Sequence, residues 1–424
     1  MIKFIFKGIL RDKSRSLLPV IVISIGVFLT VFMSGWMQGI FSDMIDMNAN
    51  FTTGHVKIMT RSYAENQNQI PNDLALMDVE SLISELETDY PDMDWVKRIH
   101  FGGLLDVPDE NGETRAQGPA AGRAIDLLSP NSQEAERMNM VKSIVKGSLP
   151  ERQGQALISD DFAERFGVAI GDEVTIFGST MFGSMMFKSF EVSGTISFGV
   201  SMLDRGAIVI DISDGQEALD MQDASSEILG YIRDSQYDDA RADTIKTTFN
   251  EQYSNAEDEF SPQMFKLREQ NGLDAMLQQS ENISGIMVFI FVLAMSIVLW
   301  NTGLLGGLRR YSEYGVRLAL GEEKGHIYKT IIYEAILIGF MGSVVGTTIG
   351  VSLCYYLQEN GLDFSAMMEN IDMMLPPVYR AKVTPDLMYI GFYPGLLAMT
   401  LGNALAGYAI YKRKTATLFK ELEV

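Results

Sequence analysis

The side chains that most often carry chemistry are few and scattered in this 424-residue chain. Its three histidines, His55, His100 and His326, are far apart, and no metal-ligand or triad spacing joins any two of them. The single cysteine, Cys354, falls inside an apolar run, which leaves no internal disulfide and no lipid-attachment cysteine near the N-terminus. No G-x-x-x-x-G-K-[ST] phosphate loop occurs, and the nearest cluster, Gly321-Glu322-Glu323-Lys324-Gly325, lacks that spacing. The chain is therefore expected to be no enzyme, to hold no metal or cofactor, and to draw any energy it uses from a partner.

Other spacings have physical rather than covalent consequences. Phe28, Phe32 and Trp36 recur every four residues and share one helix face, a stripe of the kind that packs against a neighbouring helix or contacts lipid. The stretch GSTMFGSMMFKS carries Met181, Phe182, Met185, Met186 and Phe187, thioethers and aromatics suited to an adaptable apolar substrate or partner if exposed and to a core if not. Gly342, Gly346 and Gly350 form a smooth ridge that lets another helix come close, a packing feature rather than a substrate site. Glu334, near the start of the same run, is expected at a membrane interface.

Four uncharged runs must position these groups: Ser16 to Ser42 (27 residues), Asn282 to Leu308 (27), Ala335 to Gln358 (24, the span being taken as 331–358) and Leu387 to Tyr411 (25). Each exceeds the roughly 20 apolar residues needed to cross about 30 Å of hydrocarbon, so all four read as transmembrane helices. The first is too long for a signal-peptide core and ends without an Ala-x-Ala pattern, so it reads as a retained anchor. Lys and Arg concentrate in residues 1–15, 309–330 and 412–424, which places both termini and that loop in the cytoplasm. Residues 43–281 and the loop 359–386 are then outside, the latter rich in methionine through DFSAMMENIDMMLPP.

Residues 43–281 hold 18 Lys+Arg against 43 Asp+Glu, so the acidity of the chain belongs to the external block. It excludes a nucleic-acid footprint and otherwise marks a soluble surface. Val79, Leu82, Ile83 and Leu86 predict an amphipathic helix, and Asp109-Glu110-Asn111-Gly112 a hairpin turn. Short apolar runs between 155 and 210 (QALIS, DEVTIFG, SFEVSGTISFG, GAIVIDI) predict strands, with DDFAERFGV a helical turn among them. Residues 212–281 read as largely helical. The fold class is thus a membrane protein of four transmembrane α-helices, with a large α+β extracytoplasmic domain between helices 1 and 2.

The segment SEYGVRLALGEEKGHIYKTIIYEA reads as a short helix capped at Gly321, a lever on the membrane surface or an interfacial anchor. It resembles the E-x-G-x-x-x-A-x-G signature of FtsX/MacB-like ABC transporter permeases (type VII), matched by Glu313, Gly315, Ala319 and Gly321, with Arg317 between them. In that family it is the coupling helix seated in a nucleotide-binding subunit. The opening KGILRDKSRSLLPVIVISIGVF resembles the family's cytoplasmic elbow helix (1–15) and first span. KGSLPERQGQALISDDFAERFGVAIGDEVTIF resembles its MacB-like periplasmic domain, and FEVSGTISFGVSMLDRGAIVIDISDGQEALDM is most similar to lipoprotein-releasing permeases of the LolC/LolE type.

This resemblance implies a permease dimer, homo- or heteromeric, in the inner membrane, with ABC ATPase subunits that bind ATP and Mg. It works by mechanotransmission, not through a channel. It further implies a lipoprotein substrate drawn from membrane lipid and handed to a periplasmic carrier, its acyl chains entering a cavity between the first and second spans of the two protomers that Phe28, Phe32 and Trp36 would line. The hairpin 181–187 is shorter than the carrier-recruiting hook of that subgroup. Two alternatives share the architecture: MacB-like export of peptides, toxins or drugs through an outer-membrane duct, and FtsX-like signalling to a cell-wall hydrolase.

Overall fold

The computed structural model describes residues 13–109, 111–198, 206–233, 237–309, 316–363 and 378–412. They divide into two compact units, one of residues 44–274 and one of the helical segments up to Asp43 and from Ala275 onward.

In the domain unit, alternating and fully apolar stretches become ten strands of one sheet: β1 (Val56–Thr60), β2 (Met93–Pro108), β3 (Thr114–Ile125), β4 (Ile144–Gly147), β5 (Gln155–Ser159), β6 (Glu173–Ser179), β7 (Met185–Ile196), β8 (Ala207–Asp211), β9 (Glu227–Ile232) and β10 (Pro262–Lys266). Their order is β10-β1-β9-β2-β3-β8-β5-β7-β4, and β6 pairs with both β2 and β7. That last pairing closes β2, β3, β8, β5, β7 and β6 into a ring, a small barrel filled by Ile99, Phe101, Leu105, Val174, Ile176, Phe190 and Ile208 among others. Closure pairs these six strands around the ring and leaves the four-residue β4, bonded only to β7, as the edge at that end.

The first half of β2 instead continues a four-stranded antiparallel layer with β9, β1 and β10. Two helices supply apolar side chains to the core of this layer, α2 (Val79–Asp89) through Val79, Leu82 and Leu86, and α5 (Asp239–Tyr253) through Ala242, Ile245 and Phe249. Between them in the chain come α3 (Asp160–Phe166) and α4 (Ile212–Ala218). Local chemistry sets their starts: the Ser159 hydroxyl accepts from Phe162 N–H ahead of α3, and the Asp238 carboxylate accepts from Ala240 and Arg241 N–H ahead of α5. The turn between β2 and β3 is held by Asp109, whose carboxylate accepts from the N–H groups of Asn111 and Glu113.

Residues 212–281 are less helical than their polarity suggests, because β9 and β10 interrupt them. EILGYI is buried along its whole length and so lacks the alternation that marks a strand, and PQMFK is an edge strand that opens on proline.

In the other unit the apolar runs become α1 (Lys13–Asn48), α6 (Leu273–Arg309), α7 (Lys324–Asn360) and α8 (Phe392–Lys412). Among the described residues, Leu17–Thr53 and α7 are long and apolar enough to cross a membrane, and α6 contains a shorter apolar stretch, Gly285–Asn301. On α7 the exposed Tyr333 and Tyr355 stand 22 residues apart, about 33 Å at 1.5 Å per residue. That spacing matches an aromatic belt at each face of a bilayer.

Candidate partner and membrane sites

The hairpin 179–187 sorts its apolar side chains by strand alternation. Met186 points into the barrel and is 2% exposed, while its neighbours Met185 and Phe187 are 83% and 65% exposed. In the turn, Met181 is buried and Phe182 is 72% exposed. Phe187 meets Phe177 edge to face at 5.2 Å, and Leu104 lies in the next register position on the same outer face of the barrel. Phe182, Met185 and Phe187 are thus a water-facing apolar tip, and Met181 and Met186 are its core anchors. Beside the tip a cavity of about 720 Å³ is lined by Gln69, Ile70, Pro71, Phe101, Met181 and Phe182.

Beneath the four-stranded layer lies a buried charge network that the sequence reading missed. Arg98, 0% exposed, donates through Nε and Nη2 to Glu134 (2.6 and 3.2 Å), through Nη2 to the Tyr231 hydroxyl (3.1 Å) and to Asn50 O (2.9 Å), and through Nη1 to Phe51 O (3.0 Å). Arg123 donates to Phe51 O and the Tyr231 hydroxyl to Ala49 O, at 3.1 Å each. Ala49–Thr53 form a π-helical turn directly after α1, so the two arginines satisfy the Asn50 and Phe51 carbonyls at a helix end, while Tyr231 adds a donor to Ala49 O, which also accepts from Gly54 N–H. Burial opposes the charge on Arg98, but the neighbouring Tyr231 and Glu134 hold its pKa above the ordinary value. Burial lowers Arg123 to about 10, with Arg98 adding to the effect.

A second part of the network joins Lys57 (2.6 Å) and His100 (2.8 Å) to Glu227. Burial raises the Glu227 carboxyl, yet Lys57 and His100 hold it well below the carboxylate range. His55 is lowered to about 4 by burial and by Arg137, and its neutral Nδ1 accepts from Ile232 N–H at 3.0 Å. The only signal for this network in the chain was charge inside apolar strands, as in VKIMT and WVKRIHF. His55 and His100 serve packing and hydrogen bonding, and no cluster of three or more metal-ligating side chains occurs among the described residues.

In the helical unit, Phe28, Phe32 and Trp36 stack in series at 6.1 and 5.9 Å, and Trp36 continues onto Tyr379 at 6.5 Å. Phe32 and Trp36 pack around Cys354 and Leu357 of α7 and Ala381. A different set, Thr30, Met33, Ser34 and Met37, shares a narrow groove with Met287, Val288 and Phe291 of α6. The aromatic stripe therefore turns toward α7, and the groove shared with α6 has methionine and hydroxyl lining. Gly342, Gly346 and Gly350 lie against Ile23, Val27 and Val31 of α1, where an added Cβ would come within 2.7 to 2.9 Å of those side chains.

The loop before α7 is described from Val316. Glu313 and Gly315 lie outside the described residues, while Arg317 and Ala319 form a helical turn that ends at Gly321, φ +92°. The turn exposes Val316 and Leu320, four residues apart, on one face.

The long apolar helices and the barrel-containing domain accompany two family matches that together define the class, a membrane protein with a periplasmic domain. The chain belongs to the family of the MacB-like periplasmic core domain, whose family model matches residues 16–247, and the FtsX-like permease C-terminal model matches residues 285–415. It is similar to the lipoprotein-releasing system transmembrane protein LolC of Xylella fastidiosa, 24% identical over 260 residues that cover 60% of each protein. It also resembles the macrolide export ATP-binding/permease protein MacB of Hyphomonas neptunium, 26% identical over 102 residues, 23% of this chain and 16% of that one. Among solved structures, the periplasmic region of MacB from Actinobacillus actinomycetemcomitans aligns with 55% of this chain and 96% of its own, at 12% identity and a TM-score of 0.35. The chain spans about three fifths of the length of the LolC proteins it matches.

Proposed function

We propose that this protein is the permease subunit of an ABC transporter that extracts lipoproteins from the inner membrane toward a periplasmic carrier. In this reading the chain crosses the membrane four times with both termini in the cytoplasm. It pairs with a second permease, and a separate ATPase subunit binds ATP and Mg and does the hydrolysis. The observation that carries the reading is the apolar tip Phe182, Met185 and Phe187, held out in water on a closed barrel. Exposed thioethers and aromatics on a rigid mount suit an acylated substrate or the carrier that accepts it. The likeness to LolC proteins supports the same substrate class. At the other end of the mechanism, the exposed pair Val316 and Leu320 beside the left-handed Gly321 suits an apolar socket in the ATPase.

Depletion of the protein tests this directly: lipoproteins are expected to accumulate in the inner membrane, and unchanged sorting overturns the proposal. Gly321→Trp, which forces a side chain into a left-handed backbone position, is expected to uncouple ATP hydrolysis from release while the protein still folds and inserts. A second reading, export of peptides or drugs through an outer-membrane duct, draws on the short Thr180–Ser184 turn and the likeness to MacB. It predicts altered drug or peptide susceptibility with lipoprotein sorting intact.

A further inference from the structure

The short segment 380–384 crosses α1 and the end of α7 in a way that neither helix packing nor the coupling segment requires. On α1, Gly35, Gln38, Gly39 and Ser42 fall at helical spacing on one face, and each meets this segment. Lys382 N–H donates to Gly35 O at 3.0 Å. At Gly39 an added Cβ would stand 1.9 Å from Arg380 O and 2.8 Å from Ala381 Cα, so only glycine admits the crossing. Side chains then fasten it: Lys382 Nζ donates to Ser42 Oγ and Thr384 Oγ1 to Gln38 Oε1, both at 2.8 Å.

The same five residues also hold α7. Arg380 donates from Nη1 to Gln358 O and Glu359 O, at 3.2 and 3.4 Å, placing a cation on the free carbonyls of a helix C-terminus. Val383 N–H donates to Gln358 Oε1 at 2.8 Å, and Ala381 is buried against Cys354 and Leu357. Helix contacts by glycine ridges can slide, whereas a backbone bond to Gly35 and a guanidinium on the α7 carbonyls fix register.

We infer that residues 380–384 are a strap that locks the ends of α1 and α7 into one body, with Gly39, Arg380 and Lys382 as its positioning residues. The functional consequence rests on the transporter reading above: work delivered through α7 reaches α1 at this strap.

The test uses the full-length protein in nanodiscs, with and without its co-purified ATPase. Hydrogen exchange of the Lys382 amide is expected to be slow in the wild type and about tenfold or more faster in Gly39→Val. In the assembled complex the same variant is expected to hydrolyse ATP within about twofold of wild type while release per ATP falls about tenfold. Lys382→Met with Thr384→Val, which removes only side-chain ties, is expected to act in the same direction should Gly39→Val fail to insert, and Lys382→Arg to restore release. Fast exchange in the wild type, or unchanged exchange in the variants, overturns the strap. An opened strap with wild-type release per ATP overturns its coupling role. A wild-type complex that releases no lipoprotein instead strikes the transporter reading and leaves the exchange result to decide the strap.

Discussion

The two units solve the same problem, holding helices or strands together, by different physics. The domain of residues 44–274 has water outside it, so its barrel core gains from burial, and its four-stranded layer holds the buried ions Arg98 and Glu227 against charged partners. The helical unit has exposed apolar faces, among them Ile286, Phe289, Ile290, Leu293 and Ile297 on α6. Little is gained by moving an apolar side chain from lipid to protein, so cohesion falls to close approach at Gly342, Gly346 and Gly350 and to the polar ties of the strap. The comparison teaches where each unit is fragile: the domain at its buried charges, the helices at their glycines.

The sharpest way to break this comparison is Arg98→Met. It removes the fully buried partner of Glu134, leaving only the longer Arg137 contact at 3.5 Å, and takes the guanidinium from the Asn50 carbonyl while Phe51 O keeps Arg123, so the domain is expected to lose about 3 kcal/mol. Urea unfolding of residues 44–274 measures it; a loss under about 1 kcal/mol would mean the network is not what holds the domain.

Acid sharpens the same point. The folded-state pKa of His55 is about 4 against an ordinary 6.5, so the unfolded chain binds the proton first as pH falls. The stabilisation is complete above pH 6.5 and is lost as pH drops through that window toward 4, about 3 kcal/mol at most. Glu227, depressed by Lys57 and His100 against the opposing effect of burial, adds a loss in the same direction at still lower pH. His55→Gln is expected to flatten the first part of the profile, read from melting temperature against pH.

For the helices, Gly346→Leu would place a Cβ 2.6 Å from Ser24 O and 2.8 Å from Val27 Cβ, and is expected to cost about 1–3 kcal/mol of stability in detergent. Gly285→Leu, where an added Cβ meets nothing within 4 Å, is the control and should change stability by less than about 0.5 kcal/mol. Equal effects at both positions would remove the glycine explanation. Smallest of all for stability is Phe182→Ser with Met185→Ser, expected within about 0.5 kcal/mol because both side chains face water, yet severe for lipoprotein release in the proposed function.

Much of this was legible because local rules and tertiary context agreed. Val79, Leu82 and Leu86 repeat at helical spacing and pack as α2, and Asp109 sits where a hairpin turn needs its side chain. The strands β9 and β10 were not legible: one is apolar on both faces and the other is an edge, so neither shows a period of two. The hairpin was legible as apolar but not as sorted, since which of Met185 and Met186 faces water depends on the register of β7 against β6. Nothing in the spacing of Arg98, Glu134 and Tyr231 announced a cluster, because their contacts span 36 and 133 residues.

By itself the sequence determined the apolar runs, the acidic block between the first two, the glycine ridge and the turn at Gly321, because each follows from composition or spacing within a few helical turns. Only the tertiary structure decided that the barrel closes, that Arg98 caps the turn after α1, that the aromatic stripe of α1 turns toward α7, and that residues 380–384 cross Gly39. Each of these depends on contacts between residues distant in the chain, whose geometry no local pattern encodes.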